Sequence, residues 1–221
     1  MHFKGVIFDL DGTLVNSVED LAESMNSILQ SFNFPTHAFT TYKYFIGNGI
    51  RNLVWKSLPE ANRDEEIVNK CYDSMIEVYR NNAVNKTKPY NGINELLDEL
   101  VSRKMKLAVF SNKADEFTKQ IVLTLLPEWN FDAIVGLSTE AYKKPNPFIT
   151  LQISEKLRIS PEDMIYVGDS GIDMQTANNA GMCAVGVLWG FRSKEELTSN
   201  GAKYLIDNPL ELIKILYRKR V

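Results

Sequence analysis

The sequence is poor in the residues on which most zinc and redox sites draw. It holds two cysteines, Cys71 and Cys183, and two histidines, His2 and His37. Cysteines so few and so far apart suggest neither a disulfide framework nor a zinc site. Both read as small buried apolar residues in a reducing compartment. His2 sits beside the terminus and His37 in a polar loop, so neither is a catalytic candidate. No apolar run is long enough to span a bilayer, and no leading segment is laid out as a signal peptide. A cytoplasmic location is the default expectation. Basic charge is not in excess either, since the formal net charge is -3. Lys and Arg are scattered apart from the tail Arg218-Lys219-Arg220, which reads as a solvated helix end suited to the helix dipole. Neither a nucleic-acid nor a membrane footprint is expected. There is no low-complexity stretch and no internal repeat.

What the chain does have is a packable core. Its 221 residues are 44% hydrophobic, enough for one large domain or a core with a small insert. Short apolar runs at Gly5–Phe8, Lys106–Phe110, Ala133–Val135, Met164–Val167, Cys183–Val187 and Tyr204–Ile206 read as strands buried on both faces. Helical patterns lie between them at Ile93–Ser102, Ala114–Leu126, Pro147–Leu157 and Asp173–Ala180, the last stopped by Gly181. This alternation predicts an α/β fold, a doubly wound Rossmann-like parallel sheet.

Residues 15–86 break the alternation. They contain no convincing strand, only helical stripes: Val18, Leu21, Met25, Ile28 and Leu29, then Ile67, Val68, Cys71, Met75 and Val78. The expectation is a helical domain over 15–86 inserted into a core made of 1–14 and 87–221. An elaborated crossover packed on the sheet is the plainer alternative.

The chemistry concentrates at strand ends. Asp9 closes the first strand and Asp11 follows two residues later, on the same side of an extended chain. Ser111 and Asp169 each follow an apolar run. In open α/β sheets ligands bind beyond the carboxyl ends of the strands, so these residues should converge. Asp9, Asp11, Asp169 and Asp173 would place up to four carboxylates together, which calls for a cation. Oxygen donors without a nearby His or Cys favour Mg²⁺ over zinc. Taken singly, each segment also has an ordinary reading. Asp-x-Asp-Gly is a common acidic turn, Ser111-Asn112 a strand-end turn or cap, Lys144 a surface lysine, and Gly168-Asp169 a turn.

The four segments together resemble the haloacid dehalogenase superfamily, mostly phosphatases. Asp9-Leu10-Asp11-Gly12-Thr13-Leu14 is similar to its first motif and Ser111-Asn112-Lys113 to its second. Lys143-Lys144-Pro145 is similar to the third, and Gly168-Asp169-Ser170-Gly171-Ile172-Asp173 to the fourth. They occur in order, and the resemblance covers nearly the whole chain. Gly47-Asn48-Gly49, Pro89-Tyr90-Asn91-Gly92 and Ser111-Asn112-Lys113 make the phosphoglycolate phosphatase group the most similar. One departure is Asn16, where Asp commonly precedes Ser17.

The resemblance implies a Mg²⁺-dependent phosphatase acting on a small phosphorylated metabolite. Asp9 would be the nucleophile, forming an aspartyl-phosphate. Asp11 would act as general acid and then base. Ser111 and the Asn112 N–H would bind phosphoryl oxygens, and Lys144 would neutralise developing charge. The metal would be held by Asp9, the Asp11 carbonyl and Asp169, with Asp173 behind them or acting through water. The helical insert would be a cap that selects substrates. Within it, Gly47, Asn48, Gly49 and Arg51 form either a loop that reads the non-phosphate end of the substrate or a plain interhelix turn. Sugar and nucleotide phosphatase, inorganic pyrophosphatase and β-phosphoglucomutase share the core residues and stay open as alternatives. A non-catalytic binding protein is disfavoured, because none of the expected acids is missing. Monomer and dimer stay equally open.

Overall fold

The structure, a computed structural model, describes residues 3–218. His2 and the tail residues Lys219 and Arg220 lie outside the described residues. The chain opens with β1 (Gly5–Phe8) and β2 (Val15–Asn16), then runs through α1 (Val18–Ser31), α2 (Phe39–Tyr42), α3 (Gly49–Ser57) and α4 (Glu65–Asn82). It continues with β3 (Lys88–Pro89), α5 (Ile93–Ser102), β4 (Lys106–Ala114), α6 (Asp115–Leu125), β5 (Ala133–Leu137) and α7 (Phe148–Leu157). Last come β6 (Met164–Gly168), α8 (Gly171–Asn179), β7 (Cys183–Val187), α9 (Lys194–Ser199), β8 (Tyr204–Ile206) and α10 (Glu211–Ile215).

Six strands form a parallel sheet in the order β5-β4-β1-β6-β7-β8. Strand side chains alternate faces, and the central strands fill a core on each side. Val6 and Phe8, Leu107 and Val109, and Ile165 and Val167 join one buried cluster. Ile7, Ala108, Phe110, Met164 and Tyr166 join the other. Apolar residues on both faces are what a sheet sandwiched by helices needs, and each fully buried Leu, Ile, Val or Phe contributes about 1.5–3 kcal/mol. The α/β expectation is met. β1 lies between β4 and β6, so chain order reverses on either side of it. The carboxyl end of β1 is therefore the crevice where ligands bind in such sheets.

Helices α1 to α4 pack on one another, and α3 also meets β4. Their inward stripe is Val18, Leu21, Met25, Ile28 and Leu29 on α1 and Val68, Cys71, Met75 and Tyr79 on α4. On α4 the fully buried line is turned slightly from the expected one, taking in Tyr79 and leaving Val78 half exposed. Both cysteines are free and buried. His37 is structural: it packs edge-on against Tyr42 and Phe45, and its Nε2 meets the Ser57 carbonyl at 2.8 Å.

The absence of strand in residues 15–86 needs correction. Val15–Asn16 pairs antiparallel with Lys88–Pro89, so a two-residue ribbon closes the base of the helical segment. Asp20 locks the same place. Its carboxylate accepts from the Thr87 N–H (2.8 Å), the Thr87 hydroxyl (2.7 Å) and the Lys86 N–H (3.0 Å). Among the described residues, no helix is long and apolar enough to cross a membrane.

Candidate active site

The loop after β1 carries the two carboxylates. The Asp9 N–H donates to the Val167 carbonyl at 2.9 Å, which anchors the strand end to β6. Gly12 then turns with φ +83°, a conformation that only glycine adopts without strain. Its N–H donates to the Val15 carbonyl at 2.9 Å. Asp9 and Asp11 are both buried. They face different partners, however. Lys144 Nζ lies 2.9 Å from Asp9 Oδ1. That contact is an ion pair out of hydrogen-bond alignment, so Asp9 Oδ1 carries no hydrogen bond. Asp11 Oδ1 accepts from the Ser17 hydroxyl at 2.5 Å and lies 3.1 Å from Lys113 Nζ.

β4 continues past the expected end at Phe110, as far as Ala114. Its register against β5 shifts between Phe110 and Ala114. Such an irregularity re-aims side chains at a sheet edge. Ser111, Asn112 and Lys113 sit in it and are all buried. The Asn112 amide bridges two distant segments: Oδ1 accepts from the Lys144 N–H at 2.9 Å, and Nδ2 donates to the Gly47 carbonyl at 3.1 Å.

α8 begins at Gly171, earlier than the expected Asp173. Ser170 is its N-cap and Asp173 completes a reciprocal capping box. Asp173 is thereby committed on both oxygens. Oδ2 accepts from the Ser170 N–H (3.1 Å) and hydroxyl (2.6 Å), while Oδ1 accepts from Lys144 Nζ at 2.7 Å. Lys144 thus lies between Asp9 and Asp173. Burial opposes its charge, but the two carboxylates outweigh burial and hold its pKa well above the ordinary lysine value.

Asp169 follows β6 and is buried, its Oδ2 accepting from the Phe191 N–H at 2.7 Å. Carboxylate oxygens of Asp9, Asp169 and Asp173 lie within 4.8 Å of one another. Burial first, then the neighbouring Asp173, pushes Asp9 up to about 7. The same causes, with Asp9 added, push Asp169 well above the usual carboxylate range. Three buried carboxylates facing one ammonium leave negative charge uncompensated, and an oxygen-ligated divalent cation fits that imbalance. Asp9 and Asp169 have oxygens to offer, whereas those of Asp173 are already bonded. The Asp11 side chain points to Lys113 and Ser17, so only its backbone carbonyl stays available to the ion.

A narrow cleft lies over this edge, with about 20 Å³ of room. Asp9, Asp11, Ser111, Asn112 and Lys113 line its floor, and Leu21, Ile46, Gly47, Gly49, Ile50 and Leu53 its roof. Gly47 and Gly49 are therefore brought to the site. Asn48 precedes α3 as its N-cap and is not among the lining residues. Arg51 is not brought there either. Its guanidinium donates to Asn69 (2.7 Å) and Glu65 (2.6 Å) on α4, because α3 turns this position away from the core.

Lys113 and Tyr79 had no role assigned from sequence, and Trp189 and Arg192 belong to a run after a strand that reads as either rim or packing. Lys113 Nζ stands 3.1 Å from Asp11 Oδ1 and donates to the hydroxyl of Tyr79 on α4 at 2.6 Å. Trp189 donates its indole N–H to the Thr13 carbonyl at 3.0 Å. Arg192 reaches from the loop after β7 to the carbonyls of Lys43 and Ile46.

Comparison with known proteins gives the chain a family. A family model described as haloacid dehalogenase-like hydrolase matches residues 6–187. The phosphoglycolate phosphatase of Aquifex aeolicus is 34% identical, over 96% of this chain and 95% of that one. That of Chromobacterium violaceum is 30% identical, over 97% of each. Among solved structures, a Lactobacillus delbrueckii subsp. bulgaricus protein provisionally assigned as a phosphoglycolate phosphatase superposes with a TM-score of 0.90. It is 29% identical, over 99% of this chain and 100% of that one. With the family model matched from β1 to β7 and such relatives aligned nearly end to end, the chain belongs to the haloacid dehalogenase-like hydrolase family and is an enzyme of its phosphatase branch.

Proposed function

We propose that the protein is a Mg²⁺-dependent phosphomonoesterase for a small organic phosphate, with 2-phosphoglycolate the favoured substrate. The observation that carries the reading is the convergence of Asp9, Asp11, Ser111 and Asn112 on one narrow cleft, with Lys144 and Asp169 against Asp9. The names of the relatives favour phosphoglycolate.

Asp9 attacks phosphorus, and the bond to the leaving oxygen breaks as Asp11 gives that oxygen a proton. Water then attacks the aspartyl-phosphate. Asp11 takes its proton, the bond from phosphorus to the Asp9 oxygen breaks, and inorganic phosphate leaves. Ser111 and Asn112 orient the phosphoryl oxygens. Lys144, fixed by Asp173, offsets charge on the transferring group. Asp9, Asp169 and the Asp11 carbonyl would hold Mg²⁺, which when bound screens the nucleophile from the phosphate's own charge. The helical segment 15–86 acts as a cap, hinged at the β2–β3 ribbon, whose closure excludes water.

The test is a panel of metabolite phosphates assayed with purified enzyme, with and without chelator. Phosphoglycolate should head the panel, chelation should abolish turnover and Mg²⁺ restore it. Asp9→Asn should lose several orders of magnitude in kcat while staying folded. Turnover near wild type in Asp9→Asn refutes covalent catalysis by this residue.

A further inference from the structure

Two lysines are buried at the site, and the mechanism above uses one. Lys144 is spent on Asp9 and Asp173. Lys113, only 4% exposed, leaves β4 beside Ser111 and Asn112 and lines the same cleft. Its Nζ donates to the Tyr79 hydroxyl at 2.6 Å and stands 3.1 Å from Asp11 Oδ1. An ammonium has three donors, so one is left over. Burial works against the charge, yet Asp11 and Tyr79 outweigh it and hold the Lys113 pKa above its ordinary value. Tyr79 comes from α4, so the helical segment itself steers this cation.

The position of Lys113 says which part of a substrate it meets. Asp11 has to reach the leaving oxygen to protonate it. A cation in contact with the Asp11 carboxylate therefore reaches atoms attached to that oxygen. The roof of the cleft offers nothing that competes: Leu21, Ile46, Ile50 and Leu53 are apolar. Arg51 is turned out towards Glu65 and Asn69, and Arg192 is engaged by the carbonyls of Lys43 and Ile46.

We propose that Lys113, braced by Tyr79, is the specificity residue for a negatively charged leaving group and binds the carboxylate of a small carboxylated phosphomonoester. The inference rests on the phosphatase reading above and names what selects its substrate. In 2-phosphoglycolate one methylene separates the bridging oxygen from the carboxylate. That spacing suits a cation standing 3.1 Å from the general acid.

The experiment compares 2-phosphoglycolate with 2-hydroxyethyl phosphate, which has the same skeleton with the carboxylate replaced by an uncharged hydroxymethyl group. kcat and KM are measured for both substrates on wild type, Lys113→Met and Tyr79→Phe. Wild type should prefer the carboxylate. Lys113→Met should lose about 100-fold more kcat/KM on phosphoglycolate than on hydroxyethyl phosphate, the scale of one buried charge-assisted contact, with KM carrying most of the difference. Tyr79→Phe keeps the charge but loosens it, so about a tenfold selective loss is expected. Equal losses on both substrates would mean that Lys113 only orients Asp11, and would overturn the assignment. If Lys113→Met does not fold, Tyr79→Phe decides, and an unchanged preference overturns the proposal. A wild type without preference for the carboxylate overturns the substrate reading and this inference together. A wild-type preference that survives in both variants overturns the inference alone.

Discussion

Arg192 Nη2 donates to the Ile46 carbonyl at 2.8 Å, tying the loop after β7 to the loop that leads into α3. The adjacent residue, Phe191, gives its N–H to Asp169 Oδ2 at 2.7 Å. One short segment therefore fixes a carboxylate of the site and latches the helical segment above it. Asn112 makes a second latch through the Gly47 carbonyl.

Removing one latch should open the cleft without dismantling the core. Arg192→Ala is expected to raise KM by roughly 3- to 30-fold, with a smaller change in kcat, because up to about 2 kcal/mol of closing contact is lost. Limited proteolysis between residues 33 and 48 should quicken. An unchanged KM and digestion pattern would show that the latch carries no closing energy.

Lys144 and Asp173 form a buried pair at 2.7 Å. Asp173→Asn keeps an acceptor for the Ser170 cap but removes the charge that faces Lys144. Breaking a buried ion pair on one side costs about 3 kcal/mol. The midpoint of urea denaturation should fall, and kcat should fall by about 10² or more as Lys144 swings onto Asp9. Wild-type stability would show that Asp9 alone satisfies Lys144.

Much of this arrangement was legible in the sequence, and the reasons differ by element. β1, β4 and β6 are apolar runs, and Asp9, Ser111 and Asp169 follow them directly, so strand-end logic brought them together. The β2–β3 ribbon was invisible because two residues have no periodicity. The extension of β4 through Ser111–Ala114 was missed because its residues are polar and its register shifts. The start of α8 was readable from Ser170 and Asp173 three residues apart, a capping pattern. Tyr79 meeting Lys113, and Arg51 facing away, depend on the rotation of α4 and α3 about their axes. A stripe fixes that rotation only to within a residue.

Acidity supplies a test of the carboxylate cluster. Asp9 has an ordinary value of 3.8 and is pushed up to about 7, chiefly by burial. Between those values the folded state binds more protons than the unfolded one, so this group lowers stability as pH rises through the window. The cost is absent below 3.8 and complete above about 7. In chelator, Asp9→Asn, which cannot ionise, should therefore melt higher than wild type at about pH 8, with the advantage shrinking by about pH 5. Mg²⁺ should raise the wild-type Tm most at the higher pH and the variant's little. An advantage that is independent of pH would remove the ionised carboxylate as its cause.

Two glycines separate sterics from conformation. A Cβ on Gly190 would sit 2.2 Å from Asp169 Cβ and 2.5 Å from the Gly12 carbonyl oxygen, so something must shift. A Cβ on Gly181 would meet nothing within 4 Å, but its φ is +71°. Gly181→Ala should cost about 1 kcal/mol of stability through backbone strain alone, and activity should not change. Gly190→Ala should cost about 1–3 kcal/mol and, by displacing Asp169, should raise the Mg²⁺ concentration for half-maximal activity at least about tenfold. Titrating Mg²⁺ against turnover for both variants checks this. If both lose stability but neither shifts the Mg²⁺ dependence, Gly190 is only a packing position. If only Gly190→Ala shifts it, the close approach of this backbone is what holds Asp169 in place for the ion.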